Sequence, residues 1–244
     1  MAAPITQAIV LAAGFGTRLR PITDHVPKAM VTVAGKPLLD YALDHAQNAG
    51  VTRAVVNTHY LPHCISDHVP QRKSPEITLS HEPEILETGG GIKNVIDFFG
   101  SDPFFAINAD SLWRDENPAD GLLTQLKNRW NGQTMDALLA VIPREPANYV
   151  GAKNLHGDFA IEADGRLRRA GIPKPMPMVY IGVQILHPRL FANAPHGKYS
   201  LNDIYAVAEK NGRLFGHTAQ NIEWFHISTQ ADLAQTEDIF RSRP

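Results

Sequence analysis

Cysteine is almost absent from this chain of 244 residues, which contains one, Cys64. A single thiol can form neither an intrachain disulfide nor a thiolate metal cluster, so core burial must stabilise the fold and a reducing compartment is expected. The chain also lacks an excess of positive charge, because 23 Lys and Arg stand against 25 Asp and Glu, for a formal net charge of -2. No global positive field is available to hold a nucleic-acid backbone, and we expect no nucleic-acid partner.

Long apolar runs are missing as well. None is long enough to span a bilayer, and the segment from Met1 to Gln7 lacks the basic and apolar regions of a signal peptide. We therefore expect a cytoplasmic protein with no membrane partner. Length and composition suit one α/β domain over residues 1–244, and they leave its oligomeric state open.

Short apolar runs alternate with amphipathic segments at the spacing of βαβ units. Strands are predicted at residues 7–12, 51–57, 77–79, 103–110, 137–142 and 178–186, and helices at 37–48, 64–68, 118–130, 201–211 and 231–241. A hairpin is predicted where 159–161 and Leu167 flank the turn at 162–165. The second half of the chain therefore indicates a mixed rather than purely parallel sheet.

A glycine-rich loop, Gly14-x-Gly16, follows the first predicted strand. The dinucleotide fingerprint needs a third glycine where this chain has Leu19, which sets aside an NAD-dependent oxidoreductase. A P-loop needs Gly-Lys-Ser/Thr at the same place, where the chain has Leu-Arg-Pro. Glycine N–H groups beside Arg18 and Lys28 nevertheless suit a triphosphate.

The segment around this loop resembles the signature of the sugar-1-phosphate nucleotidyltransferases, on the residues Leu11-Ala12-Ala13-Gly14-x-Gly16-Thr17-Arg18-Leu19-x-Pro21-x-Thr23-x-x-x-Pro27-Lys28. The resemblance continues in Glu82-x-x-x-x-Glu87-Thr88-Gly89-Gly90-Gly91, Asn108-Ala109-Asp110, Gly157-Asp158-Phe159 and Tyr180-Ile181-Gly182-Val183. It implies a Rossmann-like mixed, mainly parallel sheet with helices on both faces. No hexapeptide repeat follows, so the acetyltransferase activity of longer relatives, with its C-terminal β-helix, is not expected.

The resemblance implies a reaction between a nucleoside triphosphate and a sugar 1-phosphate that gives an NDP-sugar and pyrophosphate. Arg18, Lys28 and Asp110 would be the catalytic residues. Nucleotide contacts would come from Leu11, Ala12, Ala13, Gly14, Gly16, Thr17, Arg18, Lys28, Glu82, Thr88, Gly89, Gly90 and Asn108. Gly157 and Lys174 would meet the sugar phosphate, in a pocket built from loops near 149–157 and 174–180. Lys174 departs from the family pattern, because it follows Pro173 where the family has Glu. It is equally well explained as a solvated side chain.

Two residues are expected at a divalent metal, Asp110 and His226. Mg²⁺ is the expected ion, with Mn²⁺ as the alternative, because His226 replaces the aspartate of the family's Trp-x-Asp pattern and imidazole is a poor Mg²⁺ ligand. His226 could instead donate a hydrogen bond to a phosphate, and Asp110 could instead cap a helix. A zinc site formed by His59, His63, Cys64 and His68 is not expected, because Pro62 interrupts the helical register.

Glu82 is expected at the base, where an acceptor suits uracil or guanine and disfavours ATP and CTP. The whole pattern is most similar to the bacterial N-acetylmuramate 1-phosphate uridylyltransferases of peptidoglycan (cell-wall) recycling. Short mannose or heptose 1-phosphate guanylyltransferases, which use GTP, are the alternative. A non-catalytic nucleotide-sensing relative is the competing class, favoured by the loss of the acidic residue at position 226 and opposed by Arg18, Lys28 and Asp110.

Overall fold

The computed structural model describes residues 4–144, 150, 155–169 and 171–242. The strands are β1 (Gln7–Leu11), β2 (Thr32–Val33), β3 (Lys36–Pro37), β4 (Arg53–Thr58), β5 (Glu76–His81), β6 (Phe104–Asn108), β7 (Ser111–Asp115), β8 (Ala137–Pro143), β9 (Ala160–Ile161), β10 (Leu167–Arg168), β11 (Met178–Leu186), β12 (Leu214–Thr218) and β13 (Ile222–His226). The helices are α1 (Leu38–Asn48), α2 (Pro62–Ser66), α3 (Glu87–Asn94), α4 (Leu122–Arg129), α5 (Leu201–Lys210) and α6 (Gln230–Ser242). Within these described ranges, no helix has both the length and the apolar character needed to cross a bilayer.

A seven-stranded sheet in the order β12-β8-β11-β6-β1-β4-β5 forms the centre of the protein. Neighbouring strands pair in parallel except at β11, which runs antiparallel to both β6 and β8. The predicted mixed, mainly parallel sheet is therefore confirmed. In such sheets ligands bind outside the carboxyl ends of the parallel strands.

Side chains alternate between the two faces of this sheet, as the period of two in a strand requires. Ala8 and Val10 of β1 pack with apolar residues of α1 and α4 on one face. Ile9 lies between them in the chain and packs with α3 and α5 on the other face. Both faces of the sheet are thus covered by helices, as the family resemblance implied.

A two-stranded antiparallel ribbon of β7 and β13 stands apart from the central sheet. Its register pairs Ser111 with His226 at one end and Asp115 with Ile222 at the other. Neither strand of the ribbon follows from the local sequence pattern, and the same is true of β12 and α3. The ribbon matters for the site because it brings the C-terminal part of the chain beside Asp110.

Candidate active site

A cavity of about 420 Å³ opens at the carboxyl ends of β4, β1 and β6. Leu11 of β1 is in register with Asn57 of β4 on one side and with Asn108 of β6 on the other. The cavity is lined by Leu11, Ala12, Ala13, Gly14, Lys28, Ala29, Asn57, Ile85, Glu87, Thr88, Asn108, Ala109, Asp110 and Ser200. The structure therefore brings together a large part of the predicted nucleotide set at the expected edge of the sheet.

The glycine-rich loop turns sharply so that Lys28 reaches this cavity. Gly16 has φ of +64°, and a Cβ at that position would lie 2.8 Å from Cβ of Lys28. Only glycine meets both conditions without strain. The hydroxyl of Thr23 donates to the carbonyl of Gly16 at 2.9 Å and fixes the turn. Gly16 and the neighbouring Thr17 thus shape the loop and do not themselves line the cavity.

Lys28 and Asp110 form a close ion pair inside the cavity. Nζ of Lys28 lies 2.6 Å from Oδ2 of Asp110, and the side chains are 13% and 39% exposed, respectively. Burial raises the pKa of Asp110, but the charge and hydrogen bond of Lys28, with a further contribution from His226, outweigh it and hold that pKa below its usual value. The carboxylate of Asp110 is thus paired with a cation that is itself suited to phosphate.

His226 lies at the end of the ribbon, opposite Ser111 and so beside Asp110. Burial, and after it the positive charge of Lys28, lower the pKa of His226, while Asp110 opposes them only in part. The imidazole is therefore neutral at neutral pH. A neutral imidazole can ligate a transition ion or hydrogen-bond a phosphate.

The protein groups at this site fit a divalent ion that is bound together with phosphates. Over the described ranges, no three His, Cys, Asp or Glu side chains come together as a cage for a metal ion. Mg²⁺ usually keeps several waters and takes only one or two carboxylates alongside substrate phosphates. Asp110, with His226 next to it, therefore matches this mode of binding.

Arg18 is tied to the C-terminal part of the chain rather than to the cavity wall. Its Nη1 donates to the hydroxyl of Ser228 at 3.2 Å. The amide of Ser228 in turn donates to Asp232, in the first turn of α6, at 3.1 Å. Arg18 is exposed and stands outside the set of residues that line the cavity. The position of its guanidinium thus depends on α6, a link between distant segments that the sequence did not predict.

The expectation that Glu82 contacts the base is not supported by this geometry. Glu82 is only 1% exposed. One oxygen accepts a hydrogen bond from Nδ2 of Asn57 at 2.7 Å, and the other accepts from the amide of Leu86 at 3.0 Å. Both oxygens already accept hydrogen bonds behind the cavity wall. Glu82 therefore gives no reason to expect that ATP and CTP are disfavoured.

Gly89 and Gly90, which were expected to contact the nucleotide, also lie behind the cavity wall and do not line the cavity. Their amides donate to the carbonyl of Tyr199 at 3.0 and 3.1 Å. A Cβ on Gly90 would lie 2.1 Å from the carbonyl oxygen of Gly197, and one on Gly89 would lie 2.5 Å from the ring of Tyr199. These glycines let α3 pack closely on residues 197–200, while Thr88 beside them does line the cavity.

The expected sugar-phosphate residues occupy neighbouring segments outside the nucleotide cavity. Gly157 has φ of +70°, and a Cβ there would lie 2.0 Å from the carbonyl oxygen of Met176. Lys174 is exposed two residues before Met176. Part of the loop expected in the sugar pocket, residues 149 and 151–154, lies outside the described residues.

Sequence reasoning missed several residues of the cavity, above all Asn57, Ile85 and Ser200. Asn57 had a usable signal, because it is the polar residue that ends an apolar strand, as Asn108 is. No local sequence pattern indicates Ser200, since it reaches the cavity through the packing of 197–200 against α3.

A second cavity of about 580 Å³ is larger but lies beside the other end of the ribbon. It is bounded by α1, β7, α4 and α6, with Trp113 and Arg114 among its lining residues. None of the residues expected to bind nucleotide lines it. Size alone therefore does not make it the active site.

The sequence profile of the Nucleotidyl transferase family matches residues 7–159. The chain belongs to this family. It is 37% identical over 235 residues to the N-acetylmuramate alpha-1-phosphate uridylyltransferase of Caulobacter vibrioides, covering 93% of this chain and 94% of that protein. The protein of the same name from Neisseria meningitidis is 28% identical over 238 residues, covering 96% and 97% of the two chains.

Solved structures support the fold of this nucleotidyl transferase. A UDP-glucose pyrophosphorylase complexed with UDP-glucose superimposes with a TM-score of 0.81 at 18% identity, covering 98% of this chain and 100% of that one. At this identity the likeness shows the fold and says nothing of the substrate. The expected nucleotide-diphospho-sugar transferase fold is thereby confirmed.

Proposed function

We propose that this nucleotidyl transferase joins UTP to N-acetylmuramate 1-phosphate, giving a UDP-sugar and pyrophosphate. The observation that carries the proposal is the 37% identity, across nearly the whole of both chains, to a protein with that name. The cavity supports it, because Lys28, Asp110 and the loop 12–14 converge where a triphosphate would bind. A cytoplasmic location would fit a reaction that consumes a nucleoside triphosphate.

The chemistry would be an in-line displacement at the α-phosphorus. A phosphate oxygen of the sugar 1-phosphate forms the new P–O bond, and the bond to the β-phosphate breaks as pyrophosphate leaves. A phosphate monoester has its second pKa near ~6 and is largely ionised at neutral pH, so no general base is needed. The protein must therefore hold two anions together and neutralise their charge.

Lys28 is the residue we place between the two anions. Its ammonium group already lies in the cavity, 2.6 Å from Asp110 and only 13% exposed. A triphosphate offers it a stronger partner than one carboxylate, so Lys28 would turn from Asp110 to the α-phosphate and the incoming phosphate. Arg18, held by Ser228, would lie against the β- and γ-phosphates and the departing pyrophosphate.

Asp110 would hold a divalent ion once Lys28 has turned away, with His226 as its neighbour. A bound Mg²⁺ would neutralise charge on the phosphates, and Mn²⁺ would be the better match if His226 is a direct ligand. Gly157 and Lys174 would serve the sugar phosphate from the segments that meet at Met176.

The proposal is tested by pyrophosphate release with Mg²⁺ and separately with Mn²⁺. UTP, GTP, CTP, ATP and dTTP are crossed with N-acetylmuramate 1-phosphate, mannose 1-phosphate and glucose 1-phosphate. We expect turnover with UTP and N-acetylmuramate 1-phosphate. Turnover confined to GTP and mannose 1-phosphate would refute the substrate pair but keep the reaction. Triphosphate binding without turnover throughout would indicate a nucleotide-sensing protein.

A further inference from the structure

A buried chain of hydrogen bonds connects two walls of the nucleotide cavity. The amide of Ala12, at the start of the phosphate loop, donates to Oδ1 of Asn57 at 2.7 Å. Nδ2 of Asn57 donates to Glu82 at 2.7 Å, and the amide of Leu86 donates to the other oxygen of Glu82 at 3.0 Å. Leu86 lies between Ile85 and Glu87, which both line the cavity. These hydrogen bonds thus connect the wall that would hold phosphates with the turn before α3.

The donors at both ends of this chain determine the residue types between them. A backbone amide can only donate, so Asn57 must present its oxygen to Ala12 and its amino group to Glu82. Glu82 then faces two donors, the amino group of Asn57 and the amide of Leu86. A carboxylate satisfies both donors, whereas a glutamine has only one acceptor oxygen for them.

Helix α3 packs closely against the side chains of Asn57 and Glu82. A Cβ on Gly91 would lie 2.8 Å from an oxygen of Glu82 and 2.9 Å from the amino nitrogen of Asn57. Asn57 is 2% exposed and Glu82 is 1% exposed. With no room for relaxation and almost no solvent, an unmatched donor in this place has no alternative partner.

We propose that Glu82 and Asn57 form a positioning pair that fixes the distance between the phosphate loop and the turn at 85–88. Resting on the proposed function, this assigns Glu82 a part in nucleotide binding without contact to the base. Ile85 and Glu87 of this turn line one side of the cavity, and Ala12 begins the loop that lines another. The pair therefore sets how well one nucleotide spans both walls.

The test is an exchange of the two side-chain types. In E82Q one donor is left facing another donor, and in N57D two carboxylates face each other. In the double variant E82Q/N57D, the aspartate at position 57 can accept from the amide of Ala12 and from the side-chain amino group of the glutamine at position 82. The side-chain oxygen of that glutamine accepts from the amide of Leu86. Every hydrogen bond is therefore regained. We expect the Kd for UTP, measured by calorimetry, to rise about tenfold or more in each single variant and to return to within about threefold in the double variant.

Two further measurements separate positioning from mere stability and from base contact. Binding is measured well below each variant's Tm, with E84Q as the matched control because Glu84 is exposed in the same segment. Positioning predicts that Kd rises in the fully folded single variants and that the order of preference among UTP, GTP, CTP, ATP and dTTP is kept. KM for UTP should also rise more than kcat falls.

Three outcomes would overturn the proposal. Unchanged UTP affinity in folded E82Q and N57D would show a purely structural pair and would leave the proposed function intact. A changed order of base preference in E82Q, without recovery in the double variant, would show that Glu82 contacts the base. Failure of the unaltered protein to bind any of the triphosphates would remove both this inference and the proposed function.

Discussion

Replacing Lys28 by methionine should separate transition-state stabilisation from nucleotide binding. Methionine keeps the apolar stem that packs against the turn at Gly16, where a Cβ would approach Cβ of Lys28 to 2.8 Å. It removes only the charge that lies 2.6 Å from Asp110. We expect kcat to fall about a hundred- to a thousand-fold, whereas the Kd for UTP should rise no more than about tenfold.

The magnitudes follow from where the charge is used. Lys28 is 13% exposed and pairs with the carboxylate of Asp110, which is 39% exposed, so substrate phosphates would replace a partner whose charge water already screens in part. A positioned charged donor is worth about 3–4 kcal/mol when the transition state develops charge against it. Since nucleotide binding exchanges one anionic partner of Lys28 for another, most of the loss should appear in kcat.

The assay combines calorimetric UTP binding with pyrophosphate release at saturating substrates. K73M is the control, because Lys73 is exposed and does not line the cavity, and it should behave as the unaltered protein. Equal losses in kcat and in UTP affinity for K28M would refute the reasoning, since Lys28 would then act as a uniform binding residue.

Two other predictions test the surroundings of the site, and a third tests the pH dependence of stability at the edge strand β12. In S228A, Arg18 loses its 3.2 Å hydrogen bond, so kcat for pyrophosphate release should fall about three- to tenfold at unchanged Tm; an unchanged kcat would mean that Arg18 is held otherwise. In H226D a hard oxygen replaces imidazole, so half-saturating Mg²⁺ should fall at least about threefold; an identical titration would place His226 away from the metal. Burial, and then Arg129, lower the pKa of His217 in the folded state. The stabilising contribution of neutral His217 is therefore present above about pH 6.5 and lost as pH falls below that value. In denaturant titrations, the H217N variant should lose less free energy of unfolding than the unaltered protein between about pH 7 and pH 5. Equal losses in the two proteins would contradict this.

The central strands were predictable because burial on both faces leaves a plain sequence signal. Strands β1 and β6 lie near the middle of the sheet, and Leu11 and Asn108 at their carboxyl ends line the cavity. The loop signature that begins at Leu11 contains Lys28, and Asp110 belongs to a second segment, Asn108-Ala109-Asp110. These features depend on local pattern and on the rule that ligands bind at the carboxyl ends of parallel strands.

Helix α3 was not predictable, because its own sequence argues against a helix. Three consecutive glycines, Gly89 to Gly91, disfavour helix formation by roughly 1 kcal/mol each. The structure explains them by contact, since a Cβ at any of the three would lie within 3 Å of a neighbouring atom. Close packing thus outweighs local propensity, and at Gly91 the atoms that a Cβ would meet belong to Glu82 and Asn57.

The C-terminal part of the site depends on pairing between distant segments, which no local pattern reveals. The ribbon sets His226 beside Asp110 through the register of β13 with β7. The residues that follow then return to the glycine-rich loop, where Ser228 holds Arg18 and Gln230 donates to the carbonyl of Arg20 at 2.8 Å. Arg18, near the start of the chain, is therefore held by residues near its end. The phosphate loop and α6 must consequently be considered as one unit when variants of either are interpreted.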